Sequence, residues 1–161
     1  LAAPDSDVTL KDIARLCDVF YIGGTKVGAL FGEAVVAPQA QRLPHFFSLV
    51  KQHGALLAKG RLLGIQFETL FTEGLYERMG AHAVRLALKL KKAFADKGYR
   101  LYLDSPTNQQ FVCLPNEVID RLSQEATFEL WGPRGETETV VRFVTSWATR
   151  EEDVDSLIAL I

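Results

Sequence analysis

The sequence predicts a two-part α/β chain: a strand-and-helix segment, then a long amphipathic helix leading into a small α+β layer. Three observations predict it. The apolar run Val19-Phe20-Tyr21-Ile22 ends in glycine-rich backbone, and a second run, Ala34 to Ala37, follows closely. Leu75, Met79, Ala83, Leu86, Leu90 and Phe94 recur at threes and fours, the period of a helix. After Gly98 the period falls to two, the mark of strands. The 161 residues amount to one domain-sized unit or pieces of two small ones. The boundary is expected between 1–72 and 73–161, at the start of the long helix.

Each element follows from local chemistry. Thr9-Leu10-Lys11-Asp12 is a capping-box match, and Leu10, Ile13, Ala14 and Cys17 stripe a short helix. The uninterrupted run from Val19 to Ile22 suits a strand covered on both faces, as in a mostly parallel sheet. Pro38 stops the second strand. From Gln39 the pattern turns helical, with Pro44 suited to a first turn and Phe46, Phe47, Leu49 and Val50 as an apolar face. Ala55 to Phe71 is apolar on nearly all sides, so it is expected at a buried interface. Gly60 and Gly64 would allow close backbone approach. The long helix runs Leu75 to Lys97. Its lysines 89, 91, 92 and 97 suit a solvated C-terminal end, and Gly98 suits the position just beyond. Strands follow at Tyr99 to Leu103 and Gln109 to Leu114, separated by the turn cluster Asp104 to Asn108. A helix opens at Pro115-Asn116. Strands at Thr127 to Trp131 and Thr139 to Ser146 flank the turn Gly132 to Gly135. Thr149-Arg150-Glu151-Glu152 is a second capping-box match ahead of a terminal helix.

Composition narrows the class. The chain is 48% hydrophobic and 24% charged with a net charge of −2, so no basic excess points to nucleic acid or an anionic membrane. No apolar run reaches the ~18 residues of a bilayer span. Cys17 and Cys113 have no metal-ligand spacing and read as buried free thiols of a reducing compartment, cytosol or organelle matrix. The chain begins at Leu1 and not at Met, so a processed, renumbered or partial chain is expected.

Four residues stand out for chemistry. Lys26, in Gly23-Gly24-Thr25-Lys26, sits at a strand end, where ligands of α/β sheets gather. It is either a solvated loop lysine or a desolvated nucleophilic amine. Thr25 beside it could donate to a phosphate. Arg61, in Lys59-Gly60-Arg61, reads on its own as a charged helix residue whose stem lies along apolar surface. Arg142, mid-strand among valines and Phe143, needs an anion. That anion is either a ligand carboxylate, matched by the guanidinium fork, or Glu129 or Glu138 on a wet sheet face. His45, His53 and His82 read as surface or packing residues, and no metal constellation stands out.

Four patches resemble the threonine aldolase and β-eliminating lyase family of fold-type-I (aspartate aminotransferase-like) pyridoxal-phosphate enzymes. They are Asp18 to Pro38, Lys59 to Phe67, Ser105 to Val112 and Val141 to Thr149, in the family's order. Val27 departs from the Asn that close relatives often carry. The resemblance implies the end of the large domain plus a small α+β domain. It implies pyridoxal 5'-phosphate as cofactor and Lys26 as the Schiff-base residue. Thr25 would lie at the cofactor, Arg61 near the cofactor phosphate or the neighbouring subunit's site, and Arg142 at the α-carboxylate of a small amino-acid substrate. Ser105, Thr107 and Asn108 match the family's small-domain turn. The implied reaction is aldol cleavage of threonine or allo-threonine to glycine and an aldehyde. β-Elimination on the same scaffold and a non-catalytic fragment are the alternatives. A homodimer or homotetramer in the cytoplasm is expected. The pyridine-nitrogen Asp, the ring-stacking residue and most of the phosphate cup would lie upstream of Leu1.

Overall fold

The computed structural model describes residues Leu1–Ile161. The chain divides into two compact units: Leu1 with Ser6–Arg78, and Ala2–Asp5 with Met79–Ile161.

In the first unit, α1 (Leu10–Leu16) starts on the expected capping box. The Thr9 hydroxyl accepts from the Asp12 N–H, and the Asp12 carboxylate accepts from the Thr9 N–H and hydroxyl. This holds the Asp12 carboxyl below its ordinary range. Cys17, expected buried, is exposed where α1 ends. Strand β1 (Phe20–Gly23) pairs antiparallel with β2 (Glu33–Val36), Tyr21 opposite Val35. The run Val19–Ile22 is therefore not covered on both faces here. Burial alternates along β1, and Tyr21 is 69% exposed.

The helical stretch expected from Gln39 is two pieces: one tight turn at Ala40–Arg42, then α2 (Phe46–Gln52). His45 has φ 58, so Pro44 stands before the helix and not in its first turn. A left-handed residue cannot continue a right-handed helix. The apolar stretch from Ala55 becomes helical only at α3 (Arg61–Phe71). Its inner side is Phe67 and Leu70, while Leu62, Ile65 and Phe71 are exposed. Neither Gly60 nor Gly64 brings another backbone segment close.

Helix α4 (Leu75–Asp96) opens in the first unit and runs into the second, ending at Gly98 with φ 83. Its predicted stripe is buried from Ala83 on, with Leu86, Leu90 and Phe94, while Leu75 and Met79 are half-buried. The second unit's sheet has the antiparallel order β3-β4-β6-β5, from β3 (Arg100–Leu103), β4 (Gln109–Pro115), β5 (Glu129–Leu130) and β6 (Glu138–Val144). The strand expected over Thr127 to Trp131 pairs only at Glu129–Leu130. Val112, Leu114, Val141 and Phe143 meet the α4 stripe, Val118, Ile119 and Leu122 of α5 (Asn116–Leu122), and Val154 of α6 (Glu151–Leu160). Phe94 packs on Tyr99 and Phe143, with ring centroids 5.9 and 5.2 Å away.

The second capping box does not form. The Thr149 hydroxyl accepts from the Ser146 N–H instead, so Arg150 caps α6 without a side-chain bond. The lysines of α4 are not simply solvated. Lys89 pairs with Glu151 and Asp155 at 2.9 and 2.6 Å, and Arg85 reaches Glu151 at 3.0 Å. Lys97, just past the helix, donates to the Ile158 carbonyl at 3.0 Å, and His82 Nε2 donates to the Thr149 carbonyl at 2.8 Å. These contacts fasten α6 to α4.

Two outcomes test this account. Phe94→Ala empties a fully buried site and should lower unfolding free energy by about 3–5 kcal/mol in urea titration. Hydrogen bonds from Lys89 and then Arg85 lower the Glu151 carboxyl from its ordinary 4.5. A depressed carboxyl contributes stability above its unfolded-state pKa and loses it as pH falls through the folded value. Wild type and Glu151→Gln should therefore differ in thermal midpoint at neutral pH and converge under acid.

Candidate functional site

Lys26 stands on a short 3₁₀ turn, Thr25–Val27, where β1 ends. The turn is fixed from three sides while its lysine is left free. The Tyr76 hydroxyl, in the first turn of α4, donates to the Gly23 carbonyl at 2.8 Å. Burial, then the Glu77 charge, raises the Tyr76 pKa, so the phenol stays a donor. Gln66 of α3 accepts from the Leu30 N–H at 2.6 Å and donates to the Phe31 carbonyl at 3.4 Å. Gly24 is buried against α3. A Cβ there would stand 2.5 Å from Ala29 Cβ and 3.1 Å from the Phe67 ring. Gly28 closes the turn at φ 104, a conformation glycine adopts without penalty. Val27 and Ala29 point inward and are buried.

The side chain of Lys26 is exposed and makes no hydrogen bond or ion pair, unlike Lys89, Lys91, Lys92 and Lys97. Thr25 is exposed beside it, its hydroxyl unengaged. Arg61 opens α3, exposed, and bonds to neither. An unpaired amine is what a carbonyl cofactor requires, and an unengaged hydroxyl and guanidinium suit a phosphate, so these residues fit pyridoxal phosphate.

Arg142 lies in the second unit. Inward Val141 and Phe143 put it on the other face of β6, opposite Phe111 of β4 and Glu129 of β5. Its Nη2 pairs with Glu129 and its Nη1 donates to Gln109 Oε1 at 3.1 Å. The Trp131 ring centroid lies 4.9 Å from Cζ. Of the two glutamates open on sequence grounds, Glu129 is the one engaged. Glu138 pairs with Arg100 instead. The turn Ser105 to Asn108 is held within the second unit: Thr107 N–H donates to Ser105 Oγ at 3.2 Å, and Asn108 Nδ2 to the Thr145 carbonyl at 2.7 Å. A cleft of about 360 Å³ between β6 and α6 is lined by Leu90, Phe143, Thr145 and Leu157. None of the four candidates lines it. No group of three His, Cys, Asp or Glu side chains is placed to hold a metal ion.

Sequence reasoning missed Tyr76, Gln66 and Trp131. Gln66 had a signal, as a lone amide within the apolar stretch 61–67. Tyr76 had none, being 53 residues from its carbonyl partner.

No family model matches the chain. Two low specificity L-threonine aldolases, from Pseudomonas sp. (strain NCIMB 10558) and Pseudomonas aeruginosa, are each 30% identical to it. The alignments cover 88% and 87% of this chain and 40% of each relative. The solved structure of Leishmania major threonine aldolase is 41% identical and superposes with a TM-score of 0.94. That match covers 99% of this chain and 46% of the other. Sphingomonas wittichii serine palmitoyltransferase shares the fold alone, at 15% identity and a TM-score of 0.65, over 92% of this chain and 39% of its own. No helix is long and apolar enough to cross a membrane. The chain spans about 40% of the length of the curated relatives it matches, and along nearly its whole length it is homologous to threonine aldolases in sequence and similar to one in fold.

Proposed function

We propose that this chain is the lysine-bearing, C-terminal part of a pyridoxal-phosphate-dependent lyase, with residues 1–72 ending the large domain and residues 73–161 forming the connecting helix and small domain. It cleaves a β-hydroxy amino acid, L-threonine or L-allo-threonine, to glycine and an aldehyde. The observation that carries the reading is Lys26: an unpaired amine on a backbone turn pinned by Tyr76, Gln66 and Phe67. Identity of 41% to a threonine aldolase supports it.

The residue roles are those the family resemblance implies, and the chemistry of each side chain suits them. Lys26 holds the cofactor through its amine. The Thr25 hydroxyl and Arg61 guanidinium bind the phosphate. The Arg142 fork takes the substrate's α-carboxylate, and fixing that group selects which bond at Cα breaks. When bound, the cofactor supplies an electron sink for charge released at Cα. Leu62 and Ile65 of α3 and Phe46 and Phe47 of α2 are exposed apolar residues, which supports a homodimer or homotetramer. Two free cysteines suit a cytoplasmic enzyme.

With pyridoxal phosphate, the intact protein should develop a visible absorption band that borohydride fixes on Lys26. Threonine should yield glycine and acetaldehyde. No band overturns the reading, and ammonia with a keto acid as products would make it an eliminase. Lys26→Ala should lose activity on the order of 10³-fold or more. Gly24→Ala should lower unfolding free energy by about 1–3 kcal/mol, because Ala29 and Phe67 must shift to admit the methyl.

A further inference from the structure

The guanidinium of Arg142 already carries a carboxylate, and the surroundings of the two partners differ. The Arg142 side chain is 23% exposed and that of Glu129 is 63% exposed. The arginine is fixed by packing: its Cζ lies over the Trp131 ring, and Phe111 holds that ring edge-on at 5.1 Å between centroids. Gln109 takes Nη1, and Nε is buried without a partner. Glu129 comes from the two-residue edge strand β5, reaches in from solvent, and occupies Nη2. A guanidinium can offer five N–H donors, so the glutamate uses only part of what a bidentate carboxylate would.

We propose that Glu129 is a built-in carboxylate latch. It keeps Arg142 oriented while no ligand is bound and is exchanged for the carboxylate of an incoming amino acid. Trp131 and Gln109 are positioning residues that hold the guanidinium plane through the exchange. The inference rests on the assignment of Arg142 to the substrate carboxylate. Its physical basis is the difference in exposure. An exposed glutamate returns to water at little cost, whereas a largely covered guanidinium needs an anion at every stage. Glu129 therefore lowers the affinity for carboxylates, by competing for Nη2 and by repelling a like charge. It also keeps the site ordered.

The test uses the intact holoenzyme and two probes. Acetate carries the carboxylate and no amine to react with the cofactor; its binding is followed by the fluorescence change that Trp131→Phe abolishes. L-Threonine reports through KM and kcat. Glu129→Gln should tighten acetate about fivefold, the worth of one exposed ion pair, and lower the threonine KM by a similar factor. Glu129→Ser is the second variant, and circular dichroism with thermal unfolding checks that both are folded. Acetate affinity and KM that stay the same or worsen in both variants, while Arg142→Met abolishes acetate binding, would overturn the latch and leave Arg142 as the anchor. Acetate binding and KM untouched by Arg142→Met would instead remove the anchor itself, and the latch with it.

Discussion

Phe143 turned inward is the constraint on which the second unit depends. It packs against Phe94 of α4 and Phe128, with centroids 5.2 and 5.3 Å away, and is nearly fully buried. In a strand, neighbouring side chains point to opposite faces, so anchoring one residue sets them all. With Phe143 and Val141 in the core, Arg142 must face out, opposite Glu129 and Phe111. A one-residue slip of β6 would bury the guanidinium among leucines and expose the phenylalanine. That exchange would cost several kcal/mol on both counts. The position of a charged site residue is thus fixed by apolar packing on the face it does not occupy.

The first unit solves a different problem. It must hold a lysine still without engaging its amine. Side-chain bonds to the lysine would fix it but occupy the functional group. The chain instead fixes the backbone on either side, through Tyr76 at Gly23, Phe67 against Gly24 and Gln66 at Leu30 and Phe31. Glycine at position 24 leaves room that a methyl would take first from Ala29 and then from the Phe67 ring of α3. The order of the turn is borrowed from α3 and α4, and Lys26 stays unpaired.

What was legible in the sequence was what periodicity encodes. The stripe of α4 and the alternation of β6 both emerged because each is a repeating burial pattern, whereas β4 alternates only to Val112 and then buries Val112, Cys113 and Leu114 in a row. The family patches gave the fold through residues such as Gly23-Gly24-Thr25-Lys26, whose local backbone is special. Capping was legible only by half. Thr9 and Thr149 carry the same four-residue signature, yet the Thr149 hydroxyl is drawn to the Ser146 N–H of its own turn. A local motif predicts a bond only when no nearer donor competes for it. The stretch from Ala55 shows that apolar content does not set helix limits: residues 55–60 are turns and coil, and the helix begins only at Arg61. The partners of Lys89 and Lys97 lie some 60 residues away on α6, beyond any sequence window.

Sequence left two partners for Arg142, an external carboxylate or a glutamate on a wet sheet face, and treated them as rivals. The exposures of the two side chains make them compatible. A fully buried ion pair would be costly to open, since each charge would lose its partner away from water. A fully exposed one would hold the arginine in no fixed direction. Here the arginine is covered and stacked on Trp131, while the glutamate stays mostly in water. Such a pair gives direction to the guanidinium, yet its anion can be replaced. Glu129 thus supplies the anion a half-covered guanidinium needs between ligands, while Trp131 and Gln109 keep its orientation, so that removing the glutamate would free Nη2 without turning the arginine away.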